Sequence, residues 1–348
     1  MVSSRAPKGL KAATSGSSGT PVTVYRSHLS WAHAHANVFR AWHWHGLEVG
    51  DRYAYLWGSR SIGPAASSPT ARTGSSTASA ARRSRSTANG RARSTTGCAR
   101  LARFALGYPS ALTQFAEEVR ALGRDGRALG WKAAISTAEV LRPHQRETIA
   151  EVFGCPVVDS YGCAEAGVAG FECEALSMHV PIESVVVDEI PAEGGQREIL
   201  LTDLHNYTQP LIRYRVGDLV EPRATVNGAG ACACGRALPL LGRPFGRAGD
   251  TLELPDGRRM NANQPSYVFK HHGKAGTVRE YQFVQFPKSI ELRIVPGPAW
   301  TDEVRGQLGG EVREALGLEV EIRVVERFER RGRGKHRDFV KAEEIGEG

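Results

Sequence analysis

Between Arg52 and Ala116 the sequence contains no acidic residue. Other absences matter as much. No apolar run approaches the roughly 18 to 20 residues that a membrane-spanning helix needs, and the N-terminus lacks the apolar core of a secretion signal. A soluble, cytoplasmic protein with no membrane contact is expected. Cysteine is scarce, six in 348 residues, which excludes a disulfide scaffold. In a reducing compartment, close cysteines point to a metal or to nothing, and only Cys232 and Cys234 are close in sequence. Positive charge is confined. The formal net charge is +8, from 45 Lys and Arg against 37 Asp and Glu, yet nine arginines fall between Arg60 and Arg103. Without that run the chain is close to neutral, which argues against a basic surface spread over a folded face for nucleic acid. The run also lacks interleaved aromatic residues and a recognition motif, so no nucleic-acid partner is expected.

What is present is enough for a sizeable core: 41% of the residues are hydrophobic, in a chain long enough for two or three domains. Residues 1–58 are rich in Gly, Ser, His and Trp. Residues 59–103 are rich in Ser, Arg, Ala and Thr and nearly devoid of large apolar side chains, so they bury little to offset chain entropy and are expected to be disordered. Their composition also matches a GC-rich gene read out of frame. From Phe104 the pattern is that of a globular protein. Ser110 is placed to cap a helix with Leu112, Phe115, Ala116, Val119 and Leu122 on one face and Gly123 as its stop. A second helix starts at Pro143 and ends at Gly154. Short β-rich runs follow at Pro156–Val158, Ser184–Val187, Glu198–Leu201 and Leu211–Val216. This order predicts an α/β domain. After Asp250 come two strands, a Thr301-capped helix to Gly317 and a further strand, which predicts a compact α+β module; a boundary is expected near Arg247–Asp250.

Four segments carry candidate chemistry, each with a plainer alternative. Thr14-Ser15-Gly16-Ser17-Ser18-Gly19-Thr20-Pro21 offers glycines for close backbone approach and hydroxyl donors for a polyphosphate, or is a flexible linker. It is not a P-loop, since no Gly-Lys-Ser/Thr follows. Ser160-Tyr161-Gly162-Cys163-Ala164-Glu165, after the strand at Pro156–Val158, could set Glu165 on Mg²⁺ and Tyr161 along a purine, or be a strand-end turn with a solvated glutamate. Ile212-Arg213-Tyr214-Arg215-Val216-Gly217-Asp218 reads as a strand ending in a carboxylate suited to ribose hydroxyls, or as a surface strand. Gly332-Arg333-Gly334-Lys335 could carry one lysine inward, or be a solvated basic tail. A fifth group, Cys173, His179, Cys232 and Cys234, would suit a structural tetrahedral Zn²⁺, with unliganded cysteines as the alternative. His33, His35, His43 and His45 look like ligands, but Trp31, His35, Val38 and Trp42 share one helical face, so an aromatic helix packed on the phosphate-loop strands is expected instead.

In their order, the four segments resemble the signature segments of adenylate-forming enzymes, the acyl-CoA synthetase superfamily, with a Gly-Arg-x-x-Asp hinge at Gly246–Asp250. Ile135-Ser136-Thr137-Ala138-Glu139, Thr202-Asp203-Leu204-His205-Asn206, Pro210-Leu211-Ile212-Arg213-Tyr214 and Cys232-x-Cys234-Gly235-Arg236 resemble the phenylacetate-CoA ligase-like branch, which includes proteins of capsular polysaccharide loci. The resemblance covers about Thr14 to Gly58 and Tyr108 to Val340. It implies a truncated large N-terminal domain with mixed sheets and a small α+β C-terminal domain: 1–58 as the phosphate-loop part, 59–103 as an inserted segment, 104–249 as the remainder, and 250–348 as a mobile C-terminal domain turning at Asp250. By resemblance, Ser17, Ser18, Gly19 and Thr20 hold the ATP phosphates; Ser136, Ala138 and Glu139 border the adenine; Tyr161 and Gly162 pack on it; Glu165 binds Mg²⁺; and Asp218 binds the ribose. Arg236 or Arg243 would lie near the nucleotide, and Lys335 would reach the carboxylate and α-phosphate. The implied activity is ATP-dependent activation of a carboxylate, best matched by an aryl one, as acyl-AMP, with transfer to coenzyme A. The alternative is a degraded paralogue that keeps nucleotide and zinc binding. An N-terminal region of the family is expected to be absent, and the arginine-rich stretch stands where a helix and part of the acyl pocket are expected. A homodimer is one allowed oligomeric state.

Overall fold

A computed structural model describes residues 9–13, 22–56, 62–65, 101–192, 196–221, 232–248, 251–261, 268–269, 272, 276–328 and 338–345. The chain opens with an antiparallel hairpin, β1 (Leu10–Ala13) and β2 (Thr23–Arg26). Helix α1 (His28–Trp44) follows, its N-terminus capped by the Ser27 hydroxyl, which accepts from the Ser30 amide. Next come β3 (Tyr53–Leu56), β4 (Ile62–Ala65), β5 (Phe104–Gly107), α2 (Pro109–Ala121), β6 (Ala134–Thr137), α3 (Pro143–Phe153), β7 (Val157–Cys163), β8 (Gly167–Glu172) and β9 (Met178–His179). With β13 (Leu240–Leu241) these strands form one eight-stranded sheet, ordered β13-β9-β8-β7-β6-β5-β3-β4. Its centre, β3-β5-β6-β7, is parallel.

Strand alternation divides this sheet's two faces. Ala105, Ala134 and Val157 point to the side where Leu112, Phe115 and Val119 of α2 and Ile149 and Phe153 of α3 pack around Trp131. Phe104, Ile135 and Val158 point to the other side, where Ala41 and Leu47 close the core with Phe171. All but one residue of β5 and of β6 are buried, as are the first four of β7, as expected of parallel strands covered on both faces.

A second sheet is antiparallel and four-stranded, made of β10 (Val185–Pro191), β11 (Arg197–Asp203), β12 (Tyr214–Val220) and β14 (Pro244–Arg247). After a short hairpin, β15 (Thr251–Glu253) and β16 (Arg259–Asn261), a third sheet follows. It runs β19-β18-β17-β20, with β17 (Val278–Gln285) antiparallel to β18 (Ile290–Pro296). Strands β19 (Glu321–Val324) and β20 (Phe339–Lys341) pair in parallel on its two sides. Helix α4 (Asp302–Leu316) presses Leu308, Val312 and Leu316 onto Phe283, Leu292 and Ile294. Among the described residues, no helix is long and apolar enough to cross a membrane.

Several expectations need correction. Ser110 does not cap α2; it is buried inside the first turn, because Pro109 fits the first helical position and the cap falls on Tyr108. The strand expected over Pro156–Val158 runs on to Cys163, so the Tyr161 motif begins on the strand itself. The strand expected to end at Asp218 starts at Tyr214 and continues to Val220, held by pairing with β11 and β14. Helix α1 buries Ser30, Asn37 and Ala41, leaves His35 exposed, and lies on the eight-stranded sheet, with Trp42 against Tyr53 and Phe104. Within the stretch expected to be disordered, Ile62–Ala65 pairs with β3 and Ala102 belongs to the core. Residues 66–100 lie outside the described residues.

Candidate active site

The carboxyl ends of the parallel strands meet the second sheet, and of the nucleotide-binding candidates Ser136, Ala138, Glu139, Tyr161, Gly162 and Asp218 gather there. In α/β sheets this rim is where ligands bind. Tyr161, near the end of β7, donates its hydroxyl to Asp218 Oδ2 of β12 at 2.8 Å. Burial and the facing Asp218 carboxylate push the phenol well above its ordinary pKa, so it remains a protonated donor. On its other side, the Asp218 carboxylate lies 3.6 Å from Arg247, whose Nη2 is fixed by the Val216 carbonyl at 2.7 Å. Gly162 follows at a point where a Cβ would sit 2.5 Å from the Gly167 carbonyl oxygen. Only glycine lets the β7–β8 turn close this tightly.

Glu165 stands in that turn, buried, with the Tyr214 hydroxyl 3.4 Å from Oε1. Arg26, at the end of β2, supports the turn. It is 3% exposed, donates to the Ala166 carbonyl at 3.2 Å and to Ser30 Oγ at 2.8 Å, and lies 3.6 Å from Asp203. Ser30 Oγ donates to the same Asp203 at 2.5 Å. Asn206 accepts from the Ser27 amide at 3.0 Å and donates to the Tyr25 carbonyl at 3.1 Å. Sequence reasoning named Asp203 and Asn206 only as part of a motif, and missed Arg26 and Ser30. The signal was a lone arginine closing a strand, which has meaning only once its partners are in place.

At the end of β6, Ala138 has φ +70°, a left-handed conformation that is costly for a residue with a Cβ. This turn brings Glu139 Oε2 to 3.3 Å from the Ser110 amide, and Thr137 Oγ1 donates to the Ser160 carbonyl at 3.0 Å. Ser136 pairs in register with Asp159. Asp159 is buried, and burial together with the neighbouring Glu172 carboxylate raises its pKa to about 7. Arg243 is exposed, and its carbonyl accepts from the Glu221 amide. Residues 14–21, Asp250 and Lys335 lie outside the described residues.

The second constellation is at the far edge of the eight-stranded sheet. Cys173, His179, Cys232 and Cys234 bring their ligand atoms within 4.8 Å of one another. Cys173 Sγ lies 3.6 Å from Cys232 Sγ, and Cys234 Sγ lies 3.3 Å from His179 Nε2. A tetrahedron with about 2.3 Å metal–sulfur bonds has edges of about 3.7 Å, so these separations suit one ion. His179 Nδ1 is 3.1 Å from the Leu238 carbonyl, which can only accept; Nδ1 is therefore the protonated nitrogen and Nε2 presents its lone pair to the cluster. Arg236 belongs to this region: it donates to Glu174 at 2.7 Å and lies 4.5 Å over the Trp44 ring. The histidines of α1 and His45 at its C-cap do not join it. His33 stacks on His205, His43 pairs with Glu48, and His45 bonds the Glu172 carbonyl.

No family model matches the chain. Among curated proteins, Protein CapK of Staphylococcus aureus is 29% identical over 89 residues, which are 26% of this chain and 20% of CapK. Among solved structures, a 2-hydroxyisobutyryl-CoA ligase in the postadenylation state, in complex with R3-HIB-AMP, superposes with a TM-score of 0.71. It is 17% identical, and the match covers 97% of this chain and 74% of that one. The chain has the acyl-CoA ligase fold. An anthranilate CoA ligase in complex with anthranoyl-AMP shares this fold at a TM-score of 0.59 and 14% identity, over 93% of this chain and 65% of that one. The 2-hydroxyisobutyryl-CoA ligase solved in the thioesterification state, with 2-HIB-AMP and CoA, gives a TM-score of 0.54 at 18% identity, over 96% of this chain and 74% of that one. In this ligase fold, the Tyr161–Asp218 rim is the meeting place of the first two sheets.

Proposed function

We propose that the chain is an ATP-dependent ligase that activates a carboxylate as acyl-AMP and passes the acyl group to coenzyme A. The observation that carries this reading is the Tyr161–Asp218 pair at the carboxyl rim of an acyl-CoA ligase fold. An aromatic ring beside a carboxylate with fixed orientation offers an adenine a face and a ribose two acceptors. Ser136, Ala138, Glu139 and Gly162 lie on the same rim and would frame the base. Glu165 would hold Mg²⁺. It is a buried carboxylate whose hydrogen bond from the Tyr214 hydroxyl is long at 3.4 Å, and hard oxygen donors suit that ion. The ion would neutralise phosphate charge, while this chain's residues orient the groups around it. Arg26 keeps the Glu165 turn in place through the Ala166 carbonyl, and Lys335 would contribute its ammonium at the developing charge on the α-phosphate.

An aryl carboxylate, as in phenylacetate-CoA ligases, is the favoured substrate class; the anthranilate ligase supports it. The Cys173, His179, Cys232 and Cys234 cluster would hold one structural Zn²⁺, because its donors are three thiols and one correctly tautomerised imidazole. The test is pyrophosphate release from ATP and Mg²⁺ across a panel of aryl and alkyl carboxylates. Acyl-AMP formation with at least one carboxylate, lost in Asp218→Ala, is the expected result. A folded sample that binds ATP but releases no pyrophosphate with any of them would favour the nucleotide-binding paralogue.

A further inference from the structure

One contact joins the first part of the ligase fold to its C-terminal sheet and has no part in the site described above. Arg142, the residue that precedes α3, donates Nη2 to Asp338 Oδ2 and lies with its guanidinium 4.9 Å over the Tyr281 ring. Asp338 immediately precedes β20, and its carbonyl accepts from the Phe283 amide at 2.7 Å; Tyr281 is in β17 and stacks on Phe269. Both charged side chains are more than four-fifths buried. The Arg142 amide donates to Gln145 Oε1 at 3.0 Å, and Pro143 starts the helix beside it, so the arginine stands on a rigid base. A second contact across the same junction, Arg279 to Glu117 Oε2 at 3.2 Å, is more exposed. Exposed pairs of that kind contribute little, whereas a largely buried arginine held by a carboxylate and an aromatic face contributes more.

With this junction made, the chain is nearer to one of the two forms of a neighbour than to the other. At nearly equal coverage and identity, the chain superposes on the postadenylation form of the 2-hydroxyisobutyryl-CoA ligase with a TM-score of 0.71, and on its thioesterification form with 0.54. Since the neighbour protein is the same, the drop reflects a different placement of its parts. We propose that Arg142 is a positioning residue that stabilises the adenylation arrangement, acting through Asp338 and Tyr281 and not through any substrate. The proposal rests on the ligase reading above. Asp338 follows Lys335 by three residues, so fixing it anchors one end of the segment carrying that lysine. In a two-state equilibrium, a contact made in only one state shifts the population toward that state.

The test measures the two half-reactions separately and the shape of the full-length protein by small-angle scattering. Arg142→Ala should slow pyrophosphate release on the order of tenfold or more, through kcat more than KM. Thioester formation from supplied acyl-AMP should be unchanged or faster. Arg142→Asp should shift the scattering profile away from that of the compact arrangement, and the exchanged pair Arg142→Asp with Asp338→Arg should restore both profile and rate in part. Equal slowing of both half-reactions by Arg142→Ala, or a scattering profile that Arg142→Asp leaves unchanged, would overturn the proposal. The scattering arm needs no substrate. A parent protein inactive on every carboxylate would therefore refute the ligase reading while leaving the junction testable by itself.

Discussion

The Tyr161 hydroxyl donates to Asp218 at 2.8 Å, so the two groups proposed to bind the nucleotide also bond one another. A ribose that bonds Asp218 must take over from the phenol. Asp218→Ala should weaken ATP binding on the order of tenfold or more, because it removes a charged acceptor from a half-buried site. Tyr161→Phe keeps the ring and frees the carboxylate, and should bind ATP at least as well as the parent. Calorimetry with ATP and Mg²⁺ on both variants checks this; equal losses would show that Asp218 only holds the tyrosine.

Purified protein should carry about one zinc per chain. Chelation should lower the thermal midpoint, since the ion would link the end of β8 and β9 to the loop before β13. Cys234→Ser should lose the metal and reproduce that midpoint. Elemental analysis after growth in zinc-supplemented medium gives the stoichiometry, and a metal-free, equally stable parent would count against the site.

Lys335→Ala should slow adenylation on the order of 10²-fold while leaving thioester formation from supplied acyl-AMP little changed. Substituting Arg331 or Arg337 should affect neither step much. Paired half-reaction assays separate a working lysine from a solvated basic tail.

Asp159 supplies a pH dependence. Its folded pKa is raised to about 7, first by burial and then by Glu172, whose carboxylate is held by Arg146 at 2.8 Å. The folded state therefore keeps a proton that the unfolded state loses near pH 4. Its contribution to stability is present at low pH and declines as pH rises toward and through 7. Thermal melts from about pH 5 to about pH 8 should show a decline that Asp159→Asn reduces; an identical profile in the variant would remove Asp159 as the cause.

How far the sequence could be read depended on the range of the interactions involved. Helices Pro143–Phe153 and Asp302–Leu316 were legible because proline, threonine and glycine at their ends act within a few residues. The cap of α2 was misplaced because Pro109 takes the first helical position and moves the cap back from Ser110 to Tyr108. Strand ends were read short, since Val157–Cys163 and Tyr214–Val220 are extended by pairing with distant strands. The Cys/His cluster was legible because sulfur and imidazole are few and chemically distinct. Arg142 and Asp338 are 196 positions apart, and arginines are too numerous here for one to announce its partner.

Ala65 at the end of β4 and Phe104 at the start of β5 both pair with Tyr53, from opposite sides of β3. The chain thus leaves and re-enters the sheet about two strand spacings, or roughly 10 Å, apart, at the rim away from Tyr161. The entropy of closing such a loop rises only with the logarithm of its length. The register of β3 with β4 and β5 therefore sets little limit on the length of chain between Ala65 and Ala102, the residue with which the core resumes.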